Sequence, residues 1–207
     1  MTLNKELAIF AIIRKKPVKI ISIIYHSGSG NTTEMAKAIA KGATSVEEIK
    51  VNLLAIKGNQ IVDGRWQDEV IMEQLHSSDA IIFGSPTYMG SVSAQFKAFA
   101  DATSPIYFNR QWKDKLAAGF TVSGSPSGDK MNTLMTMFIL AAQQGMIWVG
   151  LGETSHNDNG VNRLGGYAGA MGQTMQESAD IAFNQEDKLT GEALGCRVAK
   201  IAKRFHQ

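Results

Sequence analysis

Five short, mostly apolar runs, Val18 to Tyr25, Ile49 to Ile56, Ala80 to Phe83, Leu116 to Val122 and Met146 to Gly150, alternate with helix-patterned segments along the 207 residues. Runs of this kind suit strands buried on both faces, as in a parallel sheet covered by helices on each side. The alternation therefore predicts an α/β, doubly wound parallel sheet, whose ligands lie beyond the carboxyl ends of the strands. Between the runs, Asn31 and Glu34 have capping-box spacing at the start of one helix, and Leu134, Phe138 and Ala141 recur at i, i+4, i+7 in another. Leu194, Val198, Ile201 and Phe205 repeat that pattern in the last.

With 44% hydrophobic residues, the chain can bury one good core, and residues 17–207 are expected to form a single domain. The first sixteen residues are set apart as an extension. Their apolar run, Leu7 to Ile13, is far shorter than the about 20 residues of a membrane span, and no small-residue cleavage site follows it. A balance of 21 basic against 19 acidic side chains argues against nucleic acid or a membrane as a main partner. Cys196 stands alone, so no internal disulfide or cysteine metal cluster is possible, and a reducing cytoplasm fits best. His26, His76, His156 and His206 show no metal-ligand spacing, and no metal site is expected. Residues 151–185 carry Gly152, Gly160, Gly165, Gly166, Gly169 and Gly172 in an irregular insertion, expected either to cap a cofactor or reach a neighbouring subunit, or to be a plain surface loop.

Three loops follow the first, third and fourth runs. Ser27, Gly28, Ser29, Gly30, Asn31 and Thr32 lead into a helix, whose free N–H groups favour a phosphate. The loop has no lysine before its hydroxyls, as nucleoside triphosphate loops do, and Thr33 stands where a dinucleotide fingerprint needs a third glycine. A phosphate held by small hydroxyls and backbone points to a mononucleotide such as FMN; the alternative is a tight turn in which Asn31 merely caps. Pro86, Thr87, Tyr88, Met89 and Gly90 form a second loop, suited to a flat ring or else an ordinary turn. Ser123, Gly124, Ser125, Gly128 and Asp129 belong to a third, which offers N–H groups to a ring edge but has the composition of a linker too.

Taken together, the segments HSGSGNT, SPTYMG and VSGSPSGD resemble the flavodoxin-like superfamily, in particular the WrbA-type NAD(P)H:quinone oxidoreductases. The likeness runs from Val18 to the C-terminus and includes Phe96 to Phe120, the Gly145-Met146 step and the insertion around Gly165-Gly166. It implies a five-stranded sheet of order 2-1-3-4-5, FMN as cofactor, NADH or NADPH as electron donor, a quinone-like acceptor and a homo-oligomer, dimer or tetramer. It also implies that Ser27 to Thr32 bind the FMN phosphate, Thr87 to Met89 the ring edge and Ser123 to Asp129 the pyrimidine side. Tyr107 falls where the family carries an aromatic wall of the substrate space. Tyr88 replaces a family arginine, and Gln143-Gln144 a histidine pair; Gln144 can still donate to a ring carbonyl but cannot titrate near neutral pH. The flavin carries the chemistry, so no side chain is named as catalytic acid, base or nucleophile. A one-electron flavodoxin-type carrier is the alternative.

Overall fold

The computed structural model describes residues 18–174 and 183–205. The expected extension, residues 1–16, and residues 175–182 of the insertion lie outside them. Five parallel positions build the main sheet: β1 (Lys19–His26), β2 (Ile49–Ile56), β5 (Ala80–Tyr88), β7 (Leu116–Ser123) and β8 (Ile147–Trp148), in the order β2-β1-β5-β7-β8. This is the expected 2-1-3-4-5. A small antiparallel pair, β3 (Ile61–Val62) and β4 (Arg65–Trp66), lies outside it.

Strand interiors explain the apolar runs. Alternate residues of the same strand serve opposite layers: Ile21, Ile23, Ile82 and Phe120 pack with Met35, Ile39, Leu194 and Val198 of helices α1 (Asn31–Thr44) and α6 (Gln185–Phe205). Ile24, Ile81 and Phe83 face the other layer, where α2 (Glu69–His76), α3 (Ala94–Ala102) and α5 (Lys130–Gln143) contribute Leu75, Phe96, Phe99, Leu134 and Met137. A short α4 (Ser104–Phe108) follows α3. Both sheet faces are thus covered, so neither needs polar alternation. Among the described residues, no helix is long and apolar enough to cross a membrane.

The α1–α6 contact depends on the absence of side chains. A Cβ on Gly195 would collide with the Ile39 carbonyl oxygen and come within 2.9 Å of the Ala43 nitrogen; one on Gly42 would strike the backbone of Glu192. On α6 the buried stripe is Thr190, Gly191, Leu194, Gly195, Val198, Ala199 and Ala202, so Phe205, expected on the packed face, is exposed instead. On α5, Leu134 and Ala141 are buried, whereas Phe138 lies at the edge of the layer, ring-to-edge with Trp148 at 5.7 Å.

Three local expectations change. The Asn31–Glu34 capping box does not form: α1 starts at Asn31, and its N-cap is Gly30 at φ 92°, a backbone conformation suited to glycine. Ser27 takes over the capping, its Oγ accepting from the N–H groups of Gly30 (3.1 Å) and Thr33 (3.3 Å). Second, β5 continues through Ser85, Pro86 and Thr87 to Tyr88, so most of the expected second loop is strand. Pairing with β1 stops at Gly84 while pairing with β7 runs on to Pro86, so the proline stands where only one parallel neighbour is present. Third, the fifth strand position is filled by two segments. β8 lies beside Leu116 and Ala117, and β9 (Ala170–Gln173), from within the insertion, lies beside Phe120 to Ser123.

Candidate active site

At the carboxyl ends of β1, β5 and β7 the three loops converge on one cavity of about 310 Å³. Its walls are Gly28, Ser29, Asn31 and Thr32 from the first loop, Pro86, Thr87 and Tyr88 from the end of β5, and Val122, Ser123 and Gly124 from the end of β7, with Thr174 beyond β9. A second cavity of about 640 Å³ shares Thr87, Ser123 and Gly124 and adds Met89, Gly90, Ser125, Pro126, Gly128 and Gln173. The two form a continuous trough across the strand ends.

The first end of the trough suits an anion. Asn31 and Thr32 begin α1, so their backbone N–H groups have no carbonyl acceptor within the helix. The Asn31 amide nitrogen donates to Ser29 Oγ at 3.2 Å, and its Oδ1 is buried without a partner. Because a serine hydroxyl donates as readily as it accepts, turning the amide over keeps the Ser29 contact and presents its NH₂ where Oδ1 now lies. An unsatisfied buried amide beside free helix N–H groups fits a phosphate oxygen. Ser27 and Gly30 do not line the trough: one caps the loop and the other turns it.

At the middle of the trough, Thr87 Oγ1 lies 2.8 Å from both Thr121 Oγ1 and Thr133 Oγ1, a buried hydroxyl cluster. Thr87 therefore spends its side chain on the scaffold and offers its backbone to a ligand. Tyr88 is half exposed and leans over the first loop, its hydroxyl occupying the space a Cβ on Gly28 would need. Met89 and Gly90, at φ 46° and 78°, form a tight hairpin turn to β6 (Ser91–Val92). Asn132 of α5 anchors this turn by donating to the Gly90 carbonyl at 2.7 Å.

The far end is held from beneath. Gly128 and Asp129 both have positive φ, and Asp129 turns the chain into α5 without itself lining the trough. Lys130, fully buried, donates through Nζ to the carbonyls of Ser125 (2.5 Å) and Pro126 (3.1 Å). Burial lowers its pKa to about 8; Asp187 pulls the value upward and Arg163 pushes it down. Arg163 grips Asp187 with two bonds, Nε at 2.8 Å and Nη2 at 2.9 Å. Asp187 also accepts from the Gln173 N–H at 2.8 Å, and Gln173 Nε2 donates to the Gly124 carbonyl at 3.3 Å. An ion pair inside the domain is thus coupled to the trough wall.

Sequence reasoning missed Lys130, Thr121, Thr133 and the Arg163–Asp187 pair. The threonines had a signal, since Thr121 interrupts the run Leu116 to Val122. Lys130 reads as a solvent-facing charge after a glycine-serine loop, and only its burial tells otherwise. Gln144 and Tyr107 are not at the trough. They line a separate cavity of about 300 Å³ with Thr103, Phe108 and Leu140, where Gln144 Nε2 donates to the Thr103 carbonyl (3.1 Å) and hydroxyl (2.9 Å) and its Oε1 is buried without a partner. His26 is buried, with Nδ1 unpartnered and its pKa lowered by that burial, but does not line the trough. Among the described residues, no group of three or more His, Cys, Asp and Glu side chains is placed to hold a metal ion.

Strand order and a trough made from three strand-end loops define a flavodoxin-like α/β protein. Residues 15–158 match the model of the NADPH-dependent FMN reductase family, and the chain belongs to that family. The chain is 40% identical over 190 residues to the flavodoxin FldP of Pseudomonas aeruginosa, covering 89% of this chain and 97% of that protein. It is 34% identical over 199 residues to an NAD(P)H dehydrogenase (quinone) of Archaeoglobus fulgidus, covering 89% and 98%. Among solved structures, a flavodoxin, WrbA-like protein from Agrobacterium tumefaciens aligns with a TM-score of 0.71 at 38% identity, over 90% of this chain and 98% of that one. The WrbA-type resemblance drawn from the three loop motifs holds.

Proposed function

We propose that the trough is the FMN site of an oxidoreductase that moves two electrons from NADH or NADPH to a quinone or similar flat acceptor. The observation that carries this reading is the trough itself, whose first end offers helix N–H groups and small hydroxyls with, among the described residues, no cationic side chain in its wall, while its far end is lined by glycines, serines, Met89 and Gln173. Bound FMN supplies the redox chemistry, accepting two electrons from the nicotinamide and releasing them to the acceptor. The chain's own groups bind and orient. Ser29, Asn31 and Thr32 hold the phosphate, with Ser27 and Gly30 shaping their loop. Pro86 to Gly90 run along one edge of the ring, and Ser123 to Gly128 along its pyrimidine side, with Asp129 ending that loop. Donor and acceptor then use the same space in turn, and no protein acid or base is required.

An anaerobic titration of FMN-loaded protein with NADH and then NADPH tests this reading. Prompt loss of the flavin absorption band with one donor is the expected result. A flavin that stays oxidised with both, yet is reduced by dithionite in two one-electron stages, would favour a carrier instead; the 40% identity to a protein named as a flavodoxin keeps that second reading in play.

A homo-oligomer belongs to the same proposal. Phe108 and Ile139 are exposed apolar side chains, and Tyr107 and Gln144 line a cavity away from their own trough. Burying that face in a neighbouring copy would give those residues an aromatic or amide role at a subunit contact. Sedimentation equilibrium is expected to return a dimer or tetramer mass; a monomer at micromolar concentration would remove this part of the reading.

A further inference from the structure

Among the groups the proposed function does not use, Lys130 stands out. A lysine ammonium is seldom fully buried, and here it occupies the first turn of α5, the end of a helix at which a positive charge is disfavoured. Such placement costs stability unless the ammonium is paired or hydrogen-bonded. Its two acceptors, the carbonyls of Ser125 and Pro126, belong to the loop that walls the far end of the trough. Peptide units here are trans, so drawing the Pro126 carbonyl toward Nζ turns the Ser127 N–H to the opposite side.

We propose that Lys130 is a positioning residue of the FMN site, a buried ammonium that clamps the Ser123–Gly128 loop through two carbonyls and adds positive charge favouring the electron-rich form of the ring. The inference rests on the reading of the trough as an FMN site. Reduction adds negative charge to the ring, and a cation held in a medium of low effective dielectric favours the reduced form. Two charged groups bear on Lys130, Asp187 from α6 and Arg163 from the segment between β8 and β9, while Asp129, its neighbour in the chain, is exposed to solvent. The Arg163–Asp187 pair is close to neutral as a unit, so Lys130 carries the net charge of the group. With its pKa lowered to about 8, that charge is present below this pH and lost above it.

The test compares wild type, Lys130→Met and Lys130→Arg, each loaded with FMN, by spectroelectrochemical titration between pH 6.5 and 9.5. Lys130→Met is expected to lower the preference for reduced over oxidised FMN about tenfold at pH 6.5, about 30 mV for a two-electron couple. Wild type should approach that lower potential above pH 8. Lys130→Arg, permanently charged, should stay about 30 mV above Lys130→Met across the range, both falling with pH only as the flavin's own proton uptake requires, and should show no break near 8. Hydrogen exchange on FMN-free protein checks the clamp separately, and the backbone amide of residue 130, which donates to the Ser127 carbonyl at 3.2 Å, should exchange about tenfold faster in Lys130→Met. An unchanged potential in Lys130→Met, or equal pH dependence in wild type and Lys130→Arg, overturns the proposal. Should Lys130→Met fail to fold, the wild-type and Lys130→Arg profiles decide alone. Failure of wild type to bind FMN would instead overturn the reading of the trough, and the proposal for the ring with it.

Discussion

Asp187→Ala is expected to destabilise the protein by about 3 kcal/mol, the lower end of the range for breaking a buried ion pair, because Arg163 keeps partial access to water. The Asp187 side chain is 1% exposed and that of Arg163 25%, so the loss leaves a largely buried guanidinium whose remaining charged partner among the described residues is Glu186, 3.6 Å away. It also strips the Gln173 N–H of its acceptor. Urea unfolding measures the loss, and a shift below about 1 kcal/mol would mean that water replaces the carboxylate without cost. Combining Asp187→Leu with Arg163→Leu should recover much of the stability, since no charge is then stranded. The single variant should also drive the Lys130 pKa further down, because Asp187 is the group that raises it.

Gly195→Ala should be almost as damaging, about 3 kcal/mol, at the upper end of the usual overpacking cost. What the new methyl group meets is the Ile39 carbonyl and the Ala43 nitrogen, both backbone, which cannot rotate aside as a side chain would. The α1 and α6 axes must separate, and α1 is the helix whose first turn forms the anion end of the trough. Weaker FMN binding should therefore accompany the lower melting temperature. Gly58→Ala is the control, because nothing lies within 4 Å of a Cβ there. Equal melting temperatures for the two variants would show that the helices adjust freely.

What could be read from the chain alone divides along physical lines. Strands β1 and β7 were legible because each is covered on both faces and reads as an apolar run, β2 because its run stays mostly apolar although it is an edge strand with Lys50 and Leu53 exposed, and their order followed from the loop motifs. β9 was not, since Ala170, Met171, Gly172 and Gln173 carry no periodicity and gain strand character only from pairing with β7. The end of β5 was hidden by Pro86, which reads as a breaker and is tolerated because one neighbouring strand has already stopped. At the site, hydroxyls and glycines announced themselves by composition. Lys130 and the Arg163–Asp187 pair did not, because a charge buried by residues distant in sequence looks like any surface charge.

The two-piece fifth strand governs when the site can exist during synthesis. Gln173 and Thr174 bond to Gly124 and Ser123, and Gln173 is held in turn by Asp187. A nascent chain released from the ribosome only as far as Gly150 already contains all three binding loops, the four long parallel strands and β8, the first piece of the fifth position. It still lacks the wall beside Ser123 and the anchor for it. The trough closes only once α6 has emerged, so the cofactor meets a finished receptor after that helix is made instead of serving as a template for the earlier strands.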